Sequence, residues 1–430
     1  MRVIVDAHLH SKYSRATSAD MNLPNMARFA RIKGINILGT GDFTHPKWLK
    51  EIEGDLTPDG DSGLFMLRKE NPSESRFMLT AEVYTNFEYQ GKSRRIHHVI
   101  WSPDAEIVKA INDELAAYGA LESDGRPALN MSAPELVEIV TTISTRNFIF
   151  PAHAWTPWFS LYGSAGGFDS IKECYGDQVH KIHALETGLS SDPPMNWRLS
   201  ELDGIAIISN SDSHSAWPWR LGREASILDI TRYNYDEIID AIKSKDPKKL
   251  VSTIETDPAY GKYHWTGHRN CRISMSAVQA IKIGNKCPVC GLKMTSGVEQ
   301  RVEELADRPA EYKPSSVPEF VHILPLSEII ATVLEIDNVS RQQVWEIYNK
   351  LIARFSNEYN ILLNAPYSSL AEVVGEELAQ VILQVRAGEL KIEPGYDGVY
   401  GRLVLKRKLH EPERPVRAKG KRSRLEDFSS

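Results

Sequence analysis

Two histidines near the N-terminus provide the first chemical signal in the sequence. A short β-branched run at residues 2–5 leads into the motif Asp-x-His-x-His at residues 6–10. Because side chains alternate between the two faces of an extended strand, His8 and His10 project the same way. Two imidazoles on one face beside a carboxylate are typical of half of a metal site, although two surface histidines on an edge strand would give the same pattern. The rest of the chain must decide between these alternatives.

Six further short apolar runs occur before residue 230, separated by stretches typical of helices or loops. They lie at residues 35–38, 77–79, 96–101, 148–150, 182–185 and 205–208. The acidic residues and histidines that follow or interrupt these runs are Asp42, Glu82, His97, His98, His153, Glu186, Asp212 and His214. Strands that alternate with helices predict a parallel sheet or barrel, where the carboxyl ends of the strands meet at the active-site face. We therefore expect these side chains to converge.

A mixed set of imidazole and carboxylate ligands predicts a particular chemistry. Such ligands suit Zn, Mn or Fe. Because the set has more ligands than a single ion can coordinate, it predicts two or three ions. Adjacent ions lower the pKa of a shared water and stabilise the attacking and leaving oxygens of an in-line displacement. The predicted reaction is hydrolysis of a phosphoester. Glu186 is a further ligand, a base behind the ligands or a structural glutamate.

These motifs resemble those of the PHP (polymerase and histidinol phosphatase) family of metal-dependent phosphoesterases, which fold as distorted seven-stranded β/α barrels. The resemblance rests on His8-Leu9-His10, Thr40-Gly41-Asp42, Glu82, His153 and Asp212-Ser213-His214. It implies that the metal ligands are His8, His10, Asp42, Glu82, His97, His153, Asp212 and His214, with His97 favoured over His98, and that the catalytic residues are Asp212 and Glu186. Many members have Thr-Asp-His at the second motif, so a carboxylate replaces an imidazole here.

Two loops beside the predicted ligands are candidates for substrate binding. The segment 155–168 interleaves aromatic residues with glycines, and Trp155 and Trp158 in it are candidates for stacking on bases. A packed structural loop is an equally good interpretation of this segment. Arg220, in the Trp-Pro-Trp-Arg segment 217–220, is a candidate for neutralising a phosphate. A stacked surface arginine is the alternative.

A second metal site is predicted beyond residue 250. The pairs His268-x2-Cys271 and Cys287-x2-Cys290 are separated by 15 residues. Two knuckles at this spacing predict a closed, tetrahedral structural zinc site, with His264 as the alternative to His268.

Shifts in composition divide the chain into four segments. We predict the barrel at 1–250, a small zinc-binding domain at 251–312, a mostly helical C-terminal domain at 313–405, and a basic, disordered tail at 406–430. In the tail, Leu425 and Phe428 occupy positions that resemble a sliding-clamp peptide, without its leading Gln and second aromatic residue. A solvated tail without this partner is the alternative.

Composition and charge exclude several classes of protein. The chain of 430 residues is 42% hydrophobic and 25% charged, as in an ordinary globular protein. Its apolar runs are too short to cross a bilayer and its N-terminus does not have the pattern of a signal peptide, so we expect a cytoplasmic protein without a membrane partner. Four cysteines, two of them in the Cys-Pro-Val-Cys motif, fit metal binding in a reducing compartment. The net charge of −6 does not indicate the substrate.

Over nearly its whole length, the chain resembles the endonuclease Q family. The features that carry this resemblance are the barrel motifs, the zinc ribbon around residues 267–271, the segment 298–309 and the loop 394–401. Members of the family nick DNA on the 5′ side of deaminated bases (uracil, hypoxanthine and xanthine) and of abasic sites, and some bind the sliding clamp through the C-terminal tail. The resemblance implies a DNA-repair endonuclease. A PHP-type phosphoesterase acting on small molecules or nucleotides and a non-catalytic nucleic-acid-binding scaffold are the alternatives.

Overall fold

The computed structural model describes residues 1–68, 75–389 and 391–404. The helices are α1 (Leu23–Lys33), α2 (Pro46–Asp55), α3 (Ala105–Leu115), α4 (Ala133–Ile143), α5 (Ile171–Tyr175), α6 (Pro193–Trp197), α7 (Tyr235–Ser244), α8 (Ala277–Lys282), α9 (Val298–Leu305), α10 (Leu326–Val333), α11 (Gln342–Phe355), α12 (Glu358–Leu363), α13 (Tyr367–Val374) and α14 (Glu376–Arg386). The predicted tail and its clamp-like residues Leu425 and Phe428 lie outside the described residues.

The strands of the described residues belong to one large mixed sheet and several small ones. They are β1 (Arg2–Asp6), β2 (Ile37–Gly39), β3 (Leu56–Pro58), β4 (Phe65–Leu67), β5 (Arg76–Tyr89), β6 (Lys92–Ser102), β7 (Ala128–Leu129), β8 (Phe148–Pro151), β9 (Ala184–Glu186), β10 (Ala206–Ile208), β11 (Ala225–Asp229), β12 (Leu250–Glu255), β13 (Thr266–His268), β14 (Ile273–Met275), β15 (Glu319–His322), β16 (Lys391–Glu393) and β17 (Arg402–Val404).

Seven strands, each containing or overlapping one of the seven apolar runs, surround the N-terminal core. Parallel pairing joins β1 to β2 and β2 to β5, and antiparallel pairing joins β5 to β6 and β6 to β8. The amide of Ala154, just after β8, donates to the carbonyl of Glu186 in β9, which pairs in parallel with β10. The His10 amide then donates to the Ser213 carbonyl, at 3.0 Å, and closes the ring onto β1. The predicted distorted seven-stranded α/β barrel is confirmed.

The barrel departs from the all-parallel arrangement that alternating strands and helices predicted. The strands β5 and β6 form a long antiparallel hairpin. Gln90 and Gly91 connect them and both have positive φ, at 50° and 71°. Positive φ at both central residues is the type I′ turn, whose twist matches that of the flanking strands. A two-residue connection cannot cross over to a parallel neighbour, so the run at 96–101 returns antiparallel.

Strands that no pattern in the sequence predicted extend the sheet beyond β1. An antiparallel pairing joins β1 to β11, another joins β11 to β12, and β12 pairs in parallel with β15. One sheet therefore contains segments on both sides of the boundaries predicted at 250 and 312. The four-segment division of the chain stays a prediction.

Two smaller units follow the barrel strands in the chain. The hairpin of β13 and β14 and the helix α8 surround a small core of Ala280, Cys287 and Met294. Five helices, α10 to α14, make up most of the region from residue 326 to 386, in agreement with the predicted helical C-terminal domain. In the described ranges, no helix reaches both the length and the apolar content that spanning a bilayer requires.

Candidate metal centre

Four side chains, three just after β1 and β10 and one within β5, form a first candidate metal site. His8, His10, Glu82 and Asp212 each offer one ligand atom, and these atoms lie within 4.8 Å of one another. His10 Nε2 lies 3.0 Å from Glu82 Oε2 and 3.0 Å from Asp212 Oδ1. The Nε2 atoms of His8 and His10 and the Oδ1 atom of Asp212 are buried without a hydrogen bond among the described residues. Because unpartnered buried polar atoms are costly, their convergence fits a divalent cation.

A second group shares Glu82 with the first. Glu82, His97 and His153 also place one ligand atom each within 4.8 Å of the others. His97 Nδ1 lies 2.6 Å from Glu82 Oε1, and His153 Nε2 lies 3.1 Å from the same oxygen. The two oxygens of Glu82 thus face different groups, Oε2 the first and Oε1 the second. This arrangement suits a carboxylate that bridges two ions in a two-metal site.

Strand alternation separates His97 from its neighbour His98. His97 faces the ligand group, whereas His98 faces away from it. His98 lies between Thr85 Oγ1 and the Tyr175 hydroxyl, at 3.1 Å from each. Burial lowers the pKa of His98 to about 3, so it is a neutral core residue. The preference for His97 over His98 agrees with this geometry.

Asp42 lies behind His10 and is absent from both candidate groups. Its Oδ1 is 3.0 Å from His10 Nδ1, and its Oδ2 accepts from the amide and hydroxyl of Ser11 at 2.6 Å and 2.7 Å. A carboxylate on the outer nitrogen of a histidine fixes the ring so that the other nitrogen faces the metal. The placement differs from the predicted role of Asp42 as a ligand, because both of its oxygens already have protein partners.

Glu186 plays the equivalent part behind His8. Its carboxylate is 2.9 Å from His8 Nδ1 and accepts from the His153 amide and the Asn210 side chain at 2.8 Å and 2.9 Å. The side chain is fully buried. Glu186 is absent from both ligand groups, and its position behind His8 fits a structural or orienting carboxylate and not a ligand. A carboxylate with this many donors orients His8 and His153 and is not open to substrate.

His214 lies beside the first group but is not a member of it. Its ring is 4.4 Å from the ring of His10, and its Nδ1 is 3.0 Å from the backbone carbonyl of Asp212. The geometry therefore differs from the predicted role of His214 as a ligand in these groups and places it at the rim of the site.

Backbone strain concentrates at the site. Asp42, His153 and Asp212 all have positive φ, at 48°, 28° and 46°. Such conformations cost about 1–3 kcal/mol each and persist where surrounding contacts hold them, often at functional sites. Gly41 also has positive φ, and a Cβ there would clash with the carbonyl of Leu9. This close approach explains the glycine in the Thr-Gly-Asp motif.

Charge in the site favours a cation. The carboxylates of Glu186 and Glu82 raise the pKa of His8 well above its ordinary value, although burial opposes them. Burial alone would raise the pKa of Glu82, but His97 and Arg126 lower it well below its ordinary value. Burial lowers the pKa of His97 to about 4, so its ring carries a charge only in acid and is neutral, as coordination requires, near pH 7. Ionised carboxylates that attract protons onto nearby imidazoles would attract a divalent ion in the same way.

Two residues of the site were not among the predicted site residues. Asp6 accepts from the Ser211 amide and hydroxyl at 2.9 Å and 2.7 Å and from the Gly222 amide at 2.9 Å, and so holds the loop that leads into Asp212. Arg126 NH1 lies 3.2 Å from Glu82 Oε2, and its side chain is 26% exposed. Asp6 could have been found in the Asp-x-His-x-His motif, whereas Arg126 has no periodic or motif signal.

The predicted substrate-binding residues have three different environments. Trp155 is buried, stacks on Tyr162 and donates to Asn196 Oδ1 at 2.8 Å, so it is a core residue and the substrate-binding prediction does not fit it. Trp158 is 44% exposed beside the barrel. Arg220 NH1 donates to Glu328 Oε1 in α10 at 3.1 Å, which favours the structural alternative for this arginine.

The predicted zinc ligands come together on the hairpin after the barrel. His268, Cys271, Cys287 and Cys290 place one ligand atom each within 4.8 Å of the others, and His264 is not part of this group. Burial would raise the pKa of Cys287, but the backbone amides of the knuckle lower it to about 6, which favours the thiolate that zinc requires. The donor set fits a structural zinc site with His268 as the fourth ligand.

Comparison with known proteins finds one matching family model and two similar uncharacterized proteins. Residues 325–389 match the family MJ0043 C-terminal domain. The uncharacterized protein MJ0043 of Methanocaldococcus jannaschii is 34% identical over 259 residues, which are 59% of this chain but only 32% of that protein. The uncharacterized protein YqxK of Bacillus subtilis is 28% identical over 86% of this chain and 89% of its own length.

Two solved structures are similar over almost the full chain. The crystal structure of the lesion-specific endonuclease PfuEndoQ from Pyrococcus furiosus has a TM-score of 0.84 and 36% sequence identity, over 96% of this chain and 98% of that one. A crystal structure of endonuclease Q in complex with a 27-mer duplex substrate, with an abasic lesion at the active site, has the same TM-score and identity over 96% and 99% of the two chains.

Proposed function

This chain belongs to the endonuclease Q family, and from that premise we propose that it is a metal-dependent DNA endonuclease that cuts phosphodiester bonds at lesions. The observation that carries the proposal is the pair of ligand groups that share Glu82. In finer detail, the proposed cut lies 5′ to uracil, hypoxanthine, xanthine or an abasic site. DNA is the proposed partner, and the sliding clamp and a cytoplasmic location are proposed with it.

The residues of the site form two groups, each of which would bind one ion for hydrolysis. His8, His10, Glu82 and Asp212 would hold one ion, and Glu82, His97 and His153 a second. Two divalent ions, whether Zn, Mn, Fe or Mg, would activate a water and stabilise negative charge on the reacting phosphate. A structural zinc would occupy the cysteine group.

Other side chains prepare the ligands or contact the substrate. Asp42 and Glu186 orient His10 and His8. Arg126, beside Glu82 and partly exposed, would donate to a phosphate oxygen. Asp212, whose side chain is 26% exposed, would accept the proton of the attacking water at its carboxylate. A damaged nucleotide must leave the base stack to reach such a recessed site, which costs less where pairing is already weak.

The test is a cleavage assay on matched labelled duplexes that contain uracil, hypoxanthine, an abasic site or no lesion, in Mg, Mn or Zn. We expect a single nick 5′ to the lesion, abolished by a chelator and by Asp212→Ala. Asp240→Asn removes an exposed carboxylate from α7 and serves as the control with unchanged activity. Hydrolysis of mononucleotides or histidinol phosphate with lesion DNA left intact would instead identify a small-molecule phosphoesterase. Binding of DNA without cleavage in any metal would identify a scaffold.

A further inference from the structure

Two adjacent aromatic side chains, Trp158 and Phe159, are exposed beside the metal centre; we call them the aromatic pair. They are 44% and 37% exposed. The other exposed large apolar side chains of the described residues are Met1 and residues beyond 270. Within the barrel, aromatic residues such as Trp155 and Tyr162 are buried. The aromatic pair is therefore an exception in this part of the molecule.

The aromatic pair is continuous with the second ligand group. The amide of His97 donates to the carbonyl of Phe159 at 3.0 Å. The Phe159 ring is 5.3 Å from the ring of His97 and 5.9 Å from that of Tyr84. On the other side, Trp158 makes an edge contact with Tyr263, at 5.3 Å. The partly exposed ring of Phe159 thus lies beside a side chain that would hold a metal ion.

The loop holds Phe159 in an unfavourable backbone conformation. Its φ is +61°, a region that bulky L-residues rarely adopt. The turn is held by Thr156, whose hydroxyl is 3.1 Å from His153 Nδ1 and donates to the Trp158 carbonyl at 3.0 Å. Phe159 therefore combines a strained backbone with an exposed apolar ring, and neither feature stabilises the folded state. Strained residues cluster at ligand-binding sites, which points to a ligand for this ring.

The surface around the aromatic pair is shaped and charged for a nucleotide. A cavity of about 250 Å³ is lined by Ser93, Arg95, Trp158, Phe159, Ala165 and Gly166. Arg95 is exposed, and its guanidinium carbon is 5.8 Å from the Phe159 ring. The small residues leave the ring accessible, and the arginine supplies a positive charge near it. An aromatic face beside a cation is the combination that binds single-stranded nucleic acid.

We propose, on the basis of the proposed function, that Phe159 is a stacking platform for a nucleobase next to the scissile phosphodiester. Trp158 supports the platform, and Arg95 contacts the backbone phosphate. Stacking on an aromatic ring accepts any base, because every base has a π-face. Such a platform would hold the strand beside a lesion in one position regardless of sequence. The position next to His97 favours a nucleobase over a protein partner, because DNA is the substrate proposed for the metal centre.

The test compares Phe159→Asn with Phe159→Tyr in the full-length protein. Asn tolerates positive φ but has no ring, whereas Tyr keeps the stacking face. The substrate is a duplex with an abasic site and 2-aminopurine on either side of it. We expect wild type and Phe159→Tyr to change the 2-aminopurine fluorescence at one flanking position, and Phe159→Asn to lose that change. The kcat/KM for cleavage should fall about 5- to 150-fold in Phe159→Asn, mainly through KM. Tyr367→Ala, which removes a ring of 38% exposure from α13, is the matched control.

A second substrate distinguishes the loss of base stacking from a loss of structural support for His97. Bis(p-nitrophenyl) phosphate has a phosphodiester but no base, so the loss on DNA should exceed the loss on this compound at least fivefold. Equal losses on both substrates, or no loss on either, would overturn the proposal. If the wild-type protein left all lesion duplexes intact, both the proposed function and the proposed role of Phe159 would be wrong. Should Phe159→Asn fail to fold, Phe159→Gly, which relaxes the positive φ, replaces it.

Discussion

Lys33 and Glu358 form a fully buried ion pair, with Nζ and Oε1 2.7 Å apart, although 325 positions separate them in the chain. Lys33 belongs to α1 of the barrel and Glu358 begins α12 of the helical region. Lys33 also donates to the Pro218 carbonyl at 2.8 Å, and the Tyr348 hydroxyl donates to Glu358 at 2.7 Å. The pair joins the helical region to the barrel loop that follows Asp212.

Breaking this pair from one side should destabilise the protein. We expect Lys33→Met to lower the free energy of unfolding by about 3–5 kcal/mol, because it leaves Glu358 buried without its cation. The double variant Lys33→Met/Glu358→Leu should recover much of that loss. Urea denaturation measures both values. Lys109→Met, which removes a lysine whose side chain is 44% exposed and which pairs with Glu53 and Glu106, is the control expected to change little. A double variant less stable than Lys33→Met would contradict the prediction.

Glu82 should control both metal positions. We expect Glu82→Gln to remove both barrel ions and to lower the cleavage rate more than about 100-fold. Substituting a residue that only orients a metal ligand already lowers metal affinity or activity about 10- to 100-fold. The bound metal is counted by elemental analysis after dialysis, and the zinc of the cysteine group serves as the internal standard. Retention of both barrel ions in Glu82→Gln would exclude its bridging role.

Asp42 should affect activity without removing an ion. Because its carboxylate orients His10, Asp42→Asn should lower cleavage about 10- to 100-fold and raise the metal concentration needed for activity. At saturating metal, the variant should bind as many ions as wild type. The loss of one ion from Asp42→Asn would return Asp42 to the ligand set that the sequence analysis predicted.

The fourth zinc ligand can be identified by single substitutions. His268→Ala should release the structural zinc, since a ring nitrogen of His268 lies within 4.8 Å of the three thiol sulfurs and would complete the tetrahedral ligand set. His264→Ala should retain it. A chromogenic chelator measures zinc release from each folded variant, and loss of zinc from His264→Ala alone would reverse the assignment.

Buried carboxylic acids should make stability depend on pH. Burial raises the pKa of Glu255 from 4.5 to about 8, and Thr187 and Ser209 donate to it at 2.9 Å and 3.0 Å. As pH rises from about 4.5 to 8, the unfolded chain loses this proton before the folded protein does, so the free energy of unfolding falls across that window. Glu255→Gln, which stays neutral, should flatten this fall and be more stable than wild type at pH 8, on the order of a few kcal/mol.

The measurement for this prediction is the urea midpoint from pH 5 to 9. Glu138→Gln, on the exposed side of α4, is the control and should follow the wild-type profile. A profile for Glu255→Gln that is parallel to wild type would show that Glu255 does not titrate in this range.

Residue types and local periodicity were sufficient to predict many of the residues that come together in the metal sites. The period of two in a strand placed His8 and His10 on one face, and the ends of the apolar runs marked Glu82, His153 and Asp212. The Cys and His spacing likewise predicted the second cluster. These features depend on neighbours within a few residues, which is the range over which backbone geometry is predictable from sequence.

Tertiary structure alone decided which of these side chains contact one another. Asp42 and Asp212 are both aspartates in loops after barrel strands, yet Asp42 lies behind His10 and Asp212 in front of it. The two carboxylates differ in the ring nitrogen of His10 that they contact, Nδ1 for Asp42 and Nε2 for Asp212, and this is set by how separate strands pair and how the loops between them pack. Arg126 reaches Glu82 for the same reason, from a loop without any motif. Contacts between distant segments depend on packing across the whole barrel, and no local pattern encodes them.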